Sequence, residues 1–193
     1  MKKFLVVAMA IVMAICSFAM VGCGGKQGVS YEDFSTKAKA LEASAPELKS
    51  GYVNFQFSGD DDLGPDIKFE IDEDGKVTYD EERVEWYSPM VWEEIPIFLR
   101  ATLVPSNLYV WNVEEVEEKD EKTESGLEYK TSVVYQTQNE LSIKINDYMK
   151  TAKGNVNDST VYKKYDPSTG YLIERVKKTN NSEIKMVIVW DED

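Results

Sequence analysis

Histidine is absent from this 193-residue chain, and cysteine occurs only twice. Without histidine the chain has no Ser-His-Asp or Cys-His nucleophile pair and no histidine ligand for zinc or haem. No remaining side chain titrates near neutral pH unless its surroundings shift its pKa. We therefore expect a protein that is not an enzyme, with no catalytic residues, no metal site and no cofactor.

Positive charge is also scarce. The chain carries 22 lysines and arginines against 35 acidic residues, a formal net charge of -13. A phosphate backbone binds where the protein field is positive, so this composition argues against a nucleic-acid partner. It predicts an acidic globular protein, which we expect to be a monomer.

The first 23 residues predict where the protein is located. Lys2 and Lys3 precede an apolar run at residues 4–21, the pattern of a secretory signal. The run ends in Met-Val-Gly-Cys at positions 20–23. This end resembles the lipobox of bacterial lipoproteins, in which a small residue precedes the cysteine that receives diacylglycerol. The resemblance implies that residues 1–22 are removed, that Cys23 carries fatty chains such as palmitate, and that the protein is anchored at the extracytoplasmic face of the cell membrane.

Two alternatives remain open for this segment. Residues 4–22 could stay uncleaved as a membrane anchor, since about 18 apolar residues just span a bilayer. The protein could also be secreted with Cys23 as a free thiol. Either alternative leaves the rest of the chain outside the cytoplasmic membrane. Cys16 lies in the signal and would leave with it, so no internal disulfide is expected.

The remaining chain is predicted to form one domain. Residues 23–29 contain the lipidated cysteine and a glycine-rich tether, and residues 30–193 are long enough to bury one core without disulfides. Apolar residues at three- and four-residue spacing predict a helix at about residues 30–44. From Gly51 the period changes to two, which is typical of half-buried strands. The strand patterns centre on residues 53–57, 67–71, 77–79, 129–135, 141–145, 161–165, 171–176 and 184–190.

Short turns join most of these strands, notably Asp74-Gly75 and residues 166–170, and indicate an antiparallel meander. With at least eight strands, a curved sheet or a barrel limits exposed edges. We predict two short helical pieces at 89–104, where Pro96 breaks or restarts the helix. Residues 108–113 are interpreted as a strand that is apolar on both faces, and the acidic run at 114–124 as a solvated hairpin end. The predicted fold is α+β: an N-terminal helix on a large curved antiparallel sheet, an open half-barrel, with short helices inserted mid-chain.

Two acidic segments raise the question of calcium. Residues 70–81 place acids, Gly75 and a final Glu81 at the spacing of an EF-hand loop, but the flanking residues alternate as strands rather than helices. Asp60, Asp61 and Asp62 lie beside glycines, as turn residues do. We interpret the first segment as a hairpin and the second as a turn, with no metal at either.

The order of elements resembles that of the half-barrel carriers of the LolA, LolB and LppX type. A helix precedes the strand Ser-Gly-Tyr-Val-Asn-Phe-Gln-Phe at 50–57, helices are inserted mid-chain, and the hairpin Tyr-Asp-Pro-Ser-Thr-Gly-Tyr-Leu follows at 165–172. The resemblance implies a sheet that binds lipid or acyl chains beneath a lid of helices. The aromatic residues predicted to line such a ligand site are Phe55, Phe57, Phe69, Trp92, Phe98 and Trp111.

The sequence thus predicts a lipid-anchored extracytoplasmic protein that binds or carries an apolar ligand or lipid. The alternative is a ligand-free interaction lipoprotein whose acidic face docks basic partners of the cell envelope. Plain packing of the aromatic residues in a filled core would fit that alternative.

Overall fold

The structure, a computed structural model, describes residues 28–57, 66–87, 94–137 and 139–191, with the backbone alone for residues 57, 85–87, 94 and 95. The helices are α1 (Tyr31–Glu42), α2 (Glu81–Tyr87), α3 (Glu94–Thr102) and α4 (Pro105–Leu108), followed by a 3-10 turn (Val110–Asn112). The strands are β1 (Ser50–Phe57), β2 (Ile67–Ile71), β3 (Val77–Tyr79), β4 (Lys119–Lys122), β5 (Glu128–Gln136), β6 (Leu141–Thr151), β7 (Gly154–Tyr165), β8 (Leu172–Thr179) and β9 (Glu183–Trp190).

The nine strands form one antiparallel sheet in the order β3-β2-β1-β9-β8-β7-β6-β5-β4. The large antiparallel sheet is confirmed, and it is open rather than closed into a barrel. The prediction of a simple meander is wrong, because β1 pairs with β9, for example Phe55 with Met186. This pairing joins the two ends of the domain. Hydrogen bonding between strands so distant in sequence leaves no local turn signal.

Helix α1 lies against one face of this sheet. Its N-cap is Ser30, whose Oγ accepts a hydrogen bond from the backbone N of Asp33 at 3.1 Å. Phe34 is fully buried, and its ring centroid lies 5.1 Å from that of Tyr135 on β5. We call the face that carries Tyr135, Met186 and Phe55 the inner face, since it holds most of the buried core.

The helices between β3 and β4 differ from the sequence prediction. Helix α2 was not predicted. Asp80 Oδ1 accepts a hydrogen bond from the backbone N of Arg83 at 3.1 Å, which is an N-cap contact. The alternating residues that precede it indicated a strand and gave no sign of a helix start. Helix α3 begins at Glu94, so Pro96 lies in the first turn. Backbone N–H groups in the first turn have no acceptor within the helix, so proline costs no hydrogen bond there. Residues 88–93 of the predicted helical region lie outside the described residues.

The prediction of a strand at 108–113 is wrong. Pro105 starts the short helix α4, and Val110 begins a 3-10 turn whose backbone N donates to the carbonyl of Gly170 at 2.9 Å. Leu108 and Val110 are both buried. The segment is apolar because it forms a compact turn that packs against the end of the core. Composition alone does not distinguish such a turn from a strand that is covered on both faces.

The acidic segments that the structure describes are hairpins. Asp72 Oδ1 accepts from the backbone N of Asp74 and of Lys76 at 3.0 and 2.8 Å, and thereby closes the β2–β3 turn as predicted. Across the described residues, no three acidic or cysteine side chains are grouped to hold a metal ion. Strand β4, within the acidic run, is exposed at all four positions and pairs with β5. Residues 60–62 lie outside the described part of the chain.

Gly170 provides a stability test of the turn that faces the 3-10 segment. Its φ is +78°, and a Cβ added there would lie 2.7 Å from Trp111 Cζ3. We expect Gly170→Ala to lower the free energy of unfolding by about 2–3 kcal/mol, measured by urea denaturation. Gly126→Ala is the matched control, since Gly126 has a φ of +82° with open space around it. Equal losses in the two variants would show that the contact with Trp111 contributes nothing.

Candidate functional site

A row of six side chains crosses the middle of the inner face. Residues directly opposite on neighbouring strands share a face, and the strand register aligns one residue from each of β5, β6, β7, β8, β9 and β1. In that order the members of this central row are Tyr135, Ile143, Lys163, Arg175, Met186 and Phe55. The four outer members are at most 6% exposed. Two cations therefore occupy the centre of an otherwise apolar row.

Arg175 is held from above by helix α3. One terminal guanidinium nitrogen donates to Thr102 Oγ1 at 2.5 Å, and the guanidinium carbon lies 4.6 Å from the centroid of the Phe98 ring. The aromatic ring stabilises the cation through its quadrupole. The Nε–H of Arg175 is buried and has no hydrogen-bond partner among the described residues. Burial lowers the pKa of Arg175.

Lys163 lies beside Arg175 on β7. Its Nζ donates to Asn107 Oδ1 of helix α4 at 2.5 Å. Burial, and then the charge of Arg175, lowers the pKa of Lys163 from 10.5 to about 8. An ammonium has three donors, and this contact uses one of them. Lys163 therefore has donor capacity to spare in a site where its charge is unfavourable.

Tyr165 is the third polar group of this cluster. Its side chain is fully buried, and its hydroxyl has no hydrogen-bond partner in the part of the chain that the structure describes. Tyr165 is two residues along β7 from Lys163 and pairs with Leu141 of β6, so it shares the inner face with Lys163. Burial raises the pKa of Tyr165, and the charge of Arg175 lowers it to a smaller extent. A buried hydroxyl without a partner costs roughly 1–3 kcal/mol. We refer to Lys163, Arg175 and Tyr165 as the basic cluster.

Acidic partners of the basic cluster are absent from the described residues. The ion pairs there involve other lysines and Arg100, as in Lys185–Glu174 at 2.8 Å on the opposite face. Asp147 is on the inner face but lies four residues along β6 from Ile143, about 13 Å away. Its carboxylate accepts hydrogen bonds from Thr131 and Ser159. Two like charges that are partly buried and directly opposite one another are destabilising, so they point to a role other than stability.

The covering of the inner face ends beside the basic cluster. The next row, which we call the second row, consists of Val133, Ile145, Val161, Lys177 and Ile184, and its end position belongs to Phe57. Its first four members are only partly buried. The row after that is polar, with Thr131, Asp147, Ser159 and Thr179. Along the strands, the inner face therefore changes from a buried apolar region to the cations, then to a partly buried apolar row, and finally to a polar row.

The predicted lining residues are distributed over this region and the core. Phe55 and Phe69 are fully buried in the core, and Phe98 packs on Arg175. Trp111 is half-buried and stacks on Tyr109, with ring centroids 5.2 Å apart. The side chain of Phe57, and Trp92 and Cys23 altogether, lie outside the described residues. The structure thus brings Phe55 and Phe98 to the central row, and it places Phe69 and Trp111 elsewhere.

The basic cluster was missed by sequence reasoning. Lys163 and Arg175 are two of 22 basic residues, and a lysine in a strand is ordinarily a solvated residue. The available signal was position: each occupies an inward step of an alternating strand. Recognising that signal requires the register of β7 on β8, including the irregularity between Lys164 and Tyr165.

A separate surface groove of about 380 Å³ lies at the β4 edge of the sheet. It is lined by Asp120, Glu121, Lys122, Glu128, Tyr129, Lys130, Lys150 and Asn155. Its charges pair locally, as in the contact of Lys150 with Glu128. This groove contains none of the predicted aromatic lining residues.

No protein-family model matches the chain. No curated protein is similar to it in sequence. Across the described residues, none of the helices has the length and apolar character needed to span a bilayer.

Proposed function

We propose that the protein is a membrane-anchored extracytoplasmic lipoprotein that binds or carries an apolar ligand or lipid on the inner face of an open half-barrel. The observation that carries this proposal is the second row, where apolar side chains of three strands are partly exposed at the border of the buried core. A face of this kind that is left partly uncovered offers apolar surface to a guest. The signal and lipobox pattern at residues 1–23 support the anchoring.

The helices over the inner face support the same function. Phe98 and Thr102 of α3 contact Arg175, and Asn107 of α4 contacts Lys163. These contacts join the helices to the sheet through polar groups as well as core packing. Polar contacts over an apolar face can open at lower cost than a fully apolar seam, because water replaces the lost hydrogen bonds.

Native mass spectrometry of the protein purified from its host's membrane tests this proposal. We expect the chain to carry an additional non-covalent apolar molecule, which leaves on collisional activation. We also expect 1-tetradecanol, added to protein stripped of that molecule, to raise the melting temperature by preferential binding to the folded state. A bare chain whose melting temperature is changed neither by 1-tetradecanol nor by sodium myristate would overturn the proposal.

The acidic docking function is favoured by a different observation. Strand β4 is an exposed edge whose neighbours at 114–124 are mostly acidic, and exposed edges and single-sign charge favour association with basic partners. That function predicts partner capture that weakens steeply between 50 and 500 mM salt, concentrations at which screening lengths fall from roughly 14 to 4 Å. Capture that is independent of salt would count against it.

A further inference from the structure

The basic cluster lies at the boundary between the covered core and the second row. We propose that Lys163 and Arg175 bind the anionic head, a carboxylate or phosphate, of an amphiphilic ligand whose apolar tail lies along the second row. This inference rests on the proposed function and names the chemical class of its ligand. The proposed ligand is thus an amphiphile with one anionic head, rather than any apolar molecule.

The donors of the cluster match an oxyanion. The Nε–H of Arg175 and the hydroxyl of Tyr165 are buried without partners in the described structure, and Lys163 has two ammonium protons beyond its bond to Asn107. A carboxylate or phosphate oxygen accepts from several such donors at once. An alcohol or an ester would leave the two positive charges uncompensated.

The charge balance supports the same ligand. The chain has an excess of 13 negative charges, yet the inner face of β7 and β8 presents Lys163, Arg175 and Lys177. Like charges directly opposite across a strand pair repel, and a bound anion between them reverses that repulsion. The described residues supply no carboxylate in that position.

The position of the tail follows from the row adjacent to the cations. Val161 and Lys177 are paired on β7 and β8, one step beyond Lys163 and Arg175, and Ile145 and Val133 continue the row. The strands are about 4.8 Å apart, so the apolar part of the second row runs for roughly 10–12 Å from the cations on β7 and β8 to Val133 on β5. That length accommodates about the first eight carbons of a chain.

Four probes distinguish recognition of the anionic head from recognition of the apolar tail: sodium myristate, tetradecyl phosphate, 1-tetradecanol and sodium acetate. The protein is the full chain as cells process it, held in nanodiscs of zwitterionic lipid, with empty discs as the blank. Binding is measured by isothermal titration at pH 7. We expect the two charged long-chain probes to bind at least tenfold more tightly than 1-tetradecanol, and acetate to bind weakly because it lacks a tail. The stronger of the two charged probes identifies the head as carboxylate or phosphate.

Variants assign the head to the cluster. Arg175→Gln and Lys163→Gln should each weaken myristate binding by about 10- to 100-fold, the range of a hydrogen bond to a charged group. Each should change 1-tetradecanol binding by less than about threefold. Lys144→Gln removes the same charge from an exposed position on the opposite face and should change neither. If Arg175→Gln fails to fold, Lys163→Met provides a second test of the cluster, at position 163.

The outcomes separate this inference from the proposed function. If myristate and 1-tetradecanol bind equally and the variants leave both unchanged, the anionic head is wrong and the apolar site remains. If none of the long-chain probes binds, both proposals fail. A selective loss of myristate and tetradecyl phosphate in the two cluster variants, with 1-tetradecanol retained, supports the inference.

Discussion

Intact mass spectrometry of the protein from its host should show a chain that lacks residues 1–22 and carries a diacylglycerol on Cys23. Cys23→Ala should abolish all of the added lipid mass, because the thiol is the nucleophile that the lipid transfer needs. The physical consequence is large: each buried methylene contributes about 0.8 kcal/mol to membrane attachment, and two acyl chains make it stable. Loss of the lipid removes that whole contribution.

Cys16→Ala is the matched control for this experiment. It removes the other cysteine, from within the predicted signal, and should leave cleavage and lipidation unchanged. An unacylated wild-type chain of 193 residues would show an uncleaved anchor, whereas cleavage with a free thiol at Cys23 would show ordinary secretion. Either result would contradict lipid anchoring.

Replacing Lys163 by methionine should stabilise the fold at pH 7 by about 2–3 kcal/mol. The pKa of Lys163 is lowered from 10.5 to about 8, mainly by burial, so the folded state disfavours its charge. One pKa unit corresponds to about 1.4 kcal/mol. Methionine has a similar length and no charge to desolvate. Urea denaturation of both proteins at pH 7 measures the difference.

The pH dependence of that difference identifies its cause. Below about pH 8 Lys163 is protonated in both states, and the cost of burying its charge is present in full. Between pH 8 and 10.5 the unfolded chain binds more protons than the folded one, so the stability of the wild type rises with pH. At pH 10 the advantage of Lys163→Met should therefore fall below about 1 kcal/mol. Tyr165 and Tyr162, whose pKa values are raised by burial, are present in both proteins and cancel.

Lys144→Met is the control for this comparison. Lys144 is exposed on the opposite face, and its replacement should change the free energy of unfolding by less than about 0.5 kcal/mol at either pH. A Lys163→Met protein that is less stable than the wild type at pH 7 would indicate that Lys163 serves the fold. A gain in stability together with weaker myristate binding would show that the charge is kept for a ligand at the expense of stability.

Most strands were predictable because their evidence is local. Along β2, Ile67, Phe69 and Ile71 are buried while Lys68 and Glu70 are exposed, the alternation that a sheet with one covered face requires. The evidence for the turns was also local, since Asp72 and Asp166 each accept, through a side-chain oxygen, a hydrogen bond from a backbone N–H of the same turn. The segment at 108–113 was misassigned because a run of apolar residues carries no period that distinguishes a turn from a strand.

The sequence alone determined the strand-rich class, the turns and the expected lipobox, since each depends on residues within a few positions of one another. Only the tertiary structure decided that β1 joins β9 and that Lys163 faces Arg175 beneath α3 and α4. These features arise from pairing between segments far apart in the chain. Whether a lysine is buried depends on the elements that pack over it, and its neighbours in the sequence do not determine which elements those are.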